Sequence, residues 1–256
     1  MCYLKLMIRK FKEKFIKNKL FYKFYRYLKY KLSYFPSYGA TGEDVLINKI
    51  FKGKIGFYVD VGALHPINGS NTYLLHKKGW SGINVDVDKG SIDMFNYFRN
   101  NDYNKRIAVS DYKGEITLYT HHDRSAVQTV NKKNAERMNN DGLNKIKVEC
   151  DTLNSIIQDS KFKDKKIDLL SIDIEGHEFN ALKSFDFEKY APKVVIIEYN
   201  DPELISIEFH YQKLENIMKS EIYKLMYKKN YKFVNWHHSD LVFICDSIFQ
   251  NRKVHH

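Results

Sequence analysis

The sequence predicts an α/β domain built on a mainly parallel, doubly wound sheet with helices on both faces. Three observations carry that reading. Short apolar strands alternate with helical stretches along most of the 256 residues, as successive βα units require. Ile167–Ile172 (IDLLSI) and Lys193–Glu198 (KVVIIE) are strongly aliphatic runs, the composition of strands buried on both faces. Several strands also end in Asp, Glu or Gly, which gathers polar groups along one edge of the sheet.

Taken in order, residues 1–35 form an arm. Leu4, Met7, Ile8, Phe11 and Phe15, then Phe21, Phe24, Tyr25, Leu28 and Leu32, fall at helical spacing with lysines between them. Ser33–Gly42, with Pro36 and Gly39, reads as a linker, and residues 36–256 as the domain. Gly42-Glu43-Asp44 caps a helix through about Phe51. Ile55–Val61 (IGFYVDV) is a buried strand, followed by a turn and a helix through Lys78. Gly82–Val87 is the second strand, Ser91–Phe98 a helix, Lys105–Val109 the third strand and Glu115–Tyr119 a short extra one. Residues 121–144 are a polar, Asn-rich excursion of the kind that often carries function. Lys145–Glu149 reads as a strand, and Asp151 or Thr152 caps a short helix after it. A helix over His177–Phe185 separates the two aliphatic strands. A helix over Gln212–Lys229 and the strands Lys232–Asn235 and Asp240–Cys245 close the chain, the last two as an antiparallel edge hairpin.

The net charge of +11 is unevenly placed: residues 1–35 hold eleven Lys/Arg against the single acid Glu13, hence +10 of it. Two readings of this basic, aromatic arm stand. Residues 1–32 lie on an anionic membrane as an interfacial helix, or form a solvated helix packed on the body. Cys2, Cys150 and Cys245 are odd in number and include no CxxC pair, which argues against a disulfide framework or a cysteine zinc site and for a reducing compartment. No run of about 18 apolar residues is present to span a membrane. Lysines interrupt every candidate signal-peptide core, so the expected location is the cytoplasm, with any membrane contact peripheral and on the inner face.

The first site-bearing motif is Tyr58-Val59-Asp60-Val61-Gly62-Ala63, at the end of the first strand. An Asp-x-Gly turn there brings backbone close to a ligand, because a side chain at Gly62 would block the approach. The following residues, Ala63-Leu64-His65-Pro66, do not make the G-x-G-x-x-G cradle of a pyrophosphate, so a phosphate-free cofactor such as S-adenosylmethionine fits better. The second strand ends in Asp86, 24 residues after Gly62, where a carboxylate accepts hydrogen bonds from ribose hydroxyls; Asp88 is the alternative. Ser110 and Asp111, at the end of the third strand, fall where a loop would flank an adenine. Ser70-Asn71-Thr72 either caps the next helix or meets the cofactor's far end.

The third motif is Ser171-Ile172-Asp173-Ile174-Glu175-Gly176-His177-Glu178. Methyl transfer to a hydroxyl requires the acceptor to lose a proton, which calls for a base or a divalent metal. Asp173 is the first candidate for either role, and Glu175 and Glu198 complete a carboxylate cluster of the kind that suits Mg²⁺ or Mn²⁺, with Asp173 and Glu198 as ligands. His177 is a base, a substrate contact or an exposed cap. Glu178 reads as a first-turn acid stabilising a helix N-terminus.

At these residues the sequence resembles the FkbM family of methyltransferases. The resemblance rests on Gly42-Glu43-Asp44, Phe57 through Ala63, Ser70-Asn71-Thr72, Gly79 through Asp86, Asp151-Thr152-Leu153 and Asp168 through Glu178. It implies a Rossmann-like class I methyltransferase fold with a seven-stranded sheet, S-adenosylmethionine as donor, and O-methylation. It further implies cofactor roles for Asp60, Gly62, Ala63 and Asp86, and closure of Glu43 and Asp44 over the cofactor. Asn84 departs from the pattern, standing where the strand is usually apolar.

The leading expectation is therefore an O-methyltransferase acting on a sugar or glycan, nucleotide-linked, lipid-linked or polymeric. Nucleic-acid methylation is the rival enzyme class. Against it, no Asp/Asn-Pro-Pro-aromatic motif follows the fourth strand, Asn200-Asp201-Pro202 lies one strand too late, and the excess charge sits in the arm. A non-catalytic, membrane-associated module retaining the fold is the third possibility.

Overall fold

A computed structural model describes residues 19–32, 36–121, 128–137, 143–199 and 213–250. Residues 1–18 of the arm, much of the 121–144 excursion and residues 200–212, with Asn200-Asp201-Pro202, lie outside them. The chain divides into two compact units, Met1–Pro36 and Ser37–His256. In the first, helix α1 (Lys19–Leu32) exposes Tyr22, Phe24, Tyr25, Tyr27 and Leu28, and Arg26 lies over the Tyr22 ring one turn away.

The second unit begins with α2 (Glu43–Phe51), whose N-cap Gly42 adopts a left-handed φ of 105°. Then follow β1 (Phe57–Val61), the one-turn α3 (Tyr73–His76), β2 (Ser81–Asp86), α4 (Lys89–Phe98) and β3 (Tyr103–Arg106). Asp88 caps α4 by accepting from Ser91 N at 2.6 Å. Next come β4 (Ala108–Ser110), β5 (Gly114–Thr120), β6 (Gln128–Thr129), α5 (Lys132–Arg137), β7 (Asn144–Thr152) and α6 (Leu153–Asp159), the last capped by Thr152. β8 (Leu169–Ile172), α7 (Glu178–Lys183), α8 (Phe187–Tyr190) and β9 (Val194–Glu198) precede α9 (Leu214–Lys219), α10 (Glu221–Lys228), β10 (Tyr231–His237), β11 (Asp240–Cys245) and α11 (Asp246–Gln250).

Seven strands form one sheet in the order β10-β11-β9-β8-β1-β2-β3. It is a mixed sheet, where the sequence predicts a mainly parallel one. β9, β8, β1, β2 and β3 pair in parallel, and β11 pairs antiparallel with both β9 and β10. The expected terminal hairpin exists, but its second strand is inserted against β9 and its first becomes the edge. Sequence order alone does not say which strand of a hairpin turns inward.

A four-stranded sheet, β4-β7-β5-β6, stands beside the main one and was not foreseen. The run read as one strand over Lys105–Val109 is divided at Ile107, whose N–H donates to Asp86 O at 3.0 Å. β3 stays on β2, while β4 leaves to pair with β7. An apolar run specifies an extended chain but not its partner. The helix expected over Gln212–Lys229 likewise breaks at Ser220, which takes an extended ψ of 152° and caps α10 by accepting from Tyr223 N.

Alternation along β1 divides the core between the two faces of the sheet. Phe57, Val59 and Val61 pack with Ile156 of α6, Leu182 of α7 and Met226 of α10. Tyr58 packs on the other face with Ile47 of α2, Leu75 of α3 and Trp80. Each fully buried aliphatic side chain here stabilises the fold by about 1.5–3 kcal/mol relative to exposure.

Candidate functional site

A cleft of about 850 Å³, counting its open mouth, lies at the carboxyl ends of β1, β2 and β8 and where β3 passes into β4. Val85, Val87, Ile107, Val109 and Leu118 supply apolar walls, and Asp86, Asp88, Asp173 and Glu175 supply carboxylates. Among the described residues, none that lines the cleft is basic.

Gly62 lines the cleft with φ +76°, and its N–H donates to Val85 O at 2.9 Å. A Cβ there would lie 1.6 Å from Asp173 O. The nearest obstacle to a side chain is thus the protein's own backbone after β8, in addition to any ligand. Ala63 follows, buried, its N–H also directed at Val85 O. Asp86 ends β2 at the rim. Its Oδ2 accepts from Leu64 N and its Oδ1 from Asp88 N, each at 2.8 Å, so the carboxylate is held in one orientation. Burial pushes it up to about 6, against the lowering effect of those two backbone donors.

Asp60 does not line the cleft. It alternates with Val59 and Val61 and belongs to a buried polar network on the opposite face. Thr72 Oγ1 donates to its Oδ2 at 2.6 Å. Arg99, 1% exposed, donates to Thr72 Oγ1 and Ser70 Oγ at 2.8 Å and to Pro66 O at 2.9 Å. Asp102 accepts from Gly82 N and from Asn84 Nδ2, which explains the polar residue at Asn84. Burial raises Asp60, with Thr72 and Arg99 opposing. Ser70 Oγ also accepts from Tyr73 N at 3.2 Å, holding the start of α3.

Glu43 and Asp44 are buried at the start of α2 and are not among the lining residues. Asp44 accepts from Ser37 Oγ and Tyr38 N at 2.7 Å, and Glu43 from Thr41 N at 3.0 Å. Together they fold the 37–41 segment onto the helix. Ser110 and Asp111 lie against α7, also outside the lining. Ser110 Oγ is 3.1 Å from His177 Nε2, and Asp111 is paired with Lys183, which draws it down to about 2. Burial lowers His177, so it is neutral at physiological pH.

The third motif delivers its acids together. Asp173 follows β8 with its N–H on Val61 O, Glu175 sits at φ 55°, and Glu198 ends β9. Oxygens of Asp173, Glu175 and Glu198 lie within 4.8 Å of one another. Asp173 is open to solvent but inside a concavity crowded by protein, and burial raises it. Glu175 is pushed up to about 7 by burial and then by Asp173 and Glu178. Glu198 rises furthest, through burial and the neighbouring carboxylates, and its Oε2 is buried with no hydrogen-bond partner among the described residues. Glu178 does more than a first-turn acid: it accepts from Ile174 N at 3.0 Å and Gly176 N at 2.9 Å, closing the turn that carries Glu175. The sequence reading missed Arg99, Asp102 and Asp240. Asp240, buried and raised in its turn by Asp173 and Glu43 after burial itself, opens an otherwise aliphatic strand, and that oddity was a legible signal.

Fold and cleft together define an α/β protein with its cleft at the carboxyl ends of its strands, the place where such sheets bind ligands. Residues 60–233 match the methyltransferase FkbM domain. The chain belongs to the FkbM methyltransferase family. The crystal structure of methyltransferase FkbM from Methylobacillus flagellatus KT is similar at 12% identity with a TM-score of 0.45, covering 74% of this chain and 43% of that one. This chain therefore corresponds to less than half the length of that protein. No curated protein matches the chain.

Proposed function

We propose that the protein transfers a methyl group from S-adenosylmethionine to a hydroxyl of a sugar or glycan. The observation that carries this is Asp86, fixed at the end of β2 in a cleft whose walls are apolar. Such a site fits an adenosyl group with ribose hydroxyls on Asp86, and among the described residues its lining offers no cation for a pyrophosphate. When bound, the donor supplies an electrophilic methyl group on a sulfonium. The chain's own residues orient it and manage the acceptor's proton. Asp173, Glu175 and Glu198 are placed for that proton, as base or as oxygen ligands of Mg²⁺ or Mn²⁺. The orphaned Glu198 Oε2 favours giving the metal reading a test of its own. The four carboxylates lining the cleft, Asp86, Asp88, Asp173 and Glu175, count against a polyanionic nucleic-acid substrate.

Titration calorimetry tests the donor assignment. Asp86→Ala should weaken S-adenosylmethionine binding by about 10- to 100-fold, the worth of charged hydrogen bonds. Unchanged affinity removes the ribose role, and no heat from the wild type removes the reading. A labelled-methyl assay over candidate sugars, run with and without chelator, separates the two roles of the trio. Turnover that survives chelation assigns a base, and turnover restored only by added Mg²⁺ or Mn²⁺ assigns a metal.

A further inference from the structure

The excursion after β5 returns to the cleft through β6 and α5, and the side chains there alternate in destination. Gln128 and Val130 line the cleft. Thr129, between them and 1% exposed, turns away and donates from Oγ1 to Glu175 O at 2.7 Å. Asn134 Nδ2 donates to the same carbonyl at 2.8 Å, and Asn131 Nδ2 donates to Gly176 O at 2.6 Å. Asn131 is itself fixed, because its Oδ1 accepts from Lys133 N at 3.0 Å at the start of α5.

The carbonyls so gripped belong to two successive left-handed residues, Glu175 at φ 55° and Gly176 at φ 93°. That conformation disfavours a glutamate and persists where surroundings over-determine it. Here they do so from both sides, Glu178 taking the turn's N–H groups and the 129–134 segment its carbonyls. The contact is close enough to dictate sequence: a Cβ on Gly176 would lie 2.2 Å from Asn134 Nδ2.

We propose that Thr129, Asn131 and Asn134 are positioning residues, a clip that holds Glu175 left-handed so that its carboxylate stays in the cleft beside Asp173 and Glu198. This rests on the methyl-transfer reading of the cleft and adds a mechanical link to it. The wall formed by Gln128 and Val130 and the carboxylate at Glu175 are parts of one rigid piece, so a substrate that displaces the wall also displaces the acid.

Carbodiimide labelling of the full-length protein, read residue by residue by mass spectrometry, tests the clip without an acceptor. In Thr129→Val/Asn134→Ala, Glu175 loses both donors to its carbonyl, and its labelling should rise about ten-fold as the carboxylate swings into solvent. Labelling of Asp86 in the same cleft and of exposed Glu115 should stay at wild-type rates. Thr129→Ser, which keeps the hydroxyl, should restore the wild-type rate at Glu175. Asn134→Ala alone carries the test if the double variant does not fold. An unchanged Glu175 rate in a folded variant overturns the clip, and so does an equal rise at Asp86, which would mean general loosening. Calorimetry of the wild type with S-adenosylmethionine judges the methyl-transfer reading separately, since the labelling result does not depend on it.

Discussion

Two groups of acids lie close together in the sheet domain, and their partners are of opposite kinds. Behind the cleft lining, Asp60 and Asp102 are enclosed with Arg99, and hydroxyl, amide and backbone donors meet their oxygens. At the cleft, Asp173, Glu175 and Glu198 are crowded together, and the charged groups bearing on them are other carboxylates. A buried charge is stable when paired and costly when left with its own kind. The first group behaves as structure. The second is held in a state that folding alone would not select, in keeping with the role proposed for it.

The largest expected effect breaks the structural side of this contrast. Arg99→Met leaves Asp60 and Asp102 buried without their cation and should cost about 3–5 kcal/mol of stability in urea unfolding. A loss below about 1 kcal/mol would show that the hydroxyl and amide donors suffice.

The acidic side should reveal itself through pH. Glu175 is raised to about 7 from its ordinary 4.5, and Glu198 is raised further, so the folded chain holds protons that the unfolded chain has released. Stability therefore falls as pH rises through that range, and we expect a loss of about 1–2 kcal/mol between about pH 6.5 and 8.5. The window lies above the range where His177, kept neutral by burial, acts with the opposite sign. Flat stability there would mean the three carboxylates relax apart.

The smallest effect sharpens the same point. Glu198→Gln removes one carboxylate of the crowd and should raise stability at pH 8 by about 1 kcal/mol while lowering turnover. Lower stability would place Glu198 among the structural acids instead.

Local pattern was enough to find most elements of the body, though not β6, α5, α8 or α11. Aliphatic runs marked β8 and β9, and Gly42 and Thr152 marked helix starts, because capping and burial act within a few residues. The same locality made the ends of β1, β2 and β8 stand out as a rim, with Gly62, Asp86, Asp173 and Glu175 on one cleft. What the sequence did not carry was the destination of side chains that share a motif. Asp60 and Gly62 are two residues apart, yet Asp60 faces the Arg99 network and Gly62 the cleft. Ser110 and Asp111 end their strand as foreseen but meet His177 and Lys183, because β4 leaves the main sheet for β7. Covalent neighbours determine whether the chain is extended or helical. Which face of a sheet a residue serves, and which distant strand or guanidinium it meets, follows from packing over a hundred residues, and only the tertiary structure decides that.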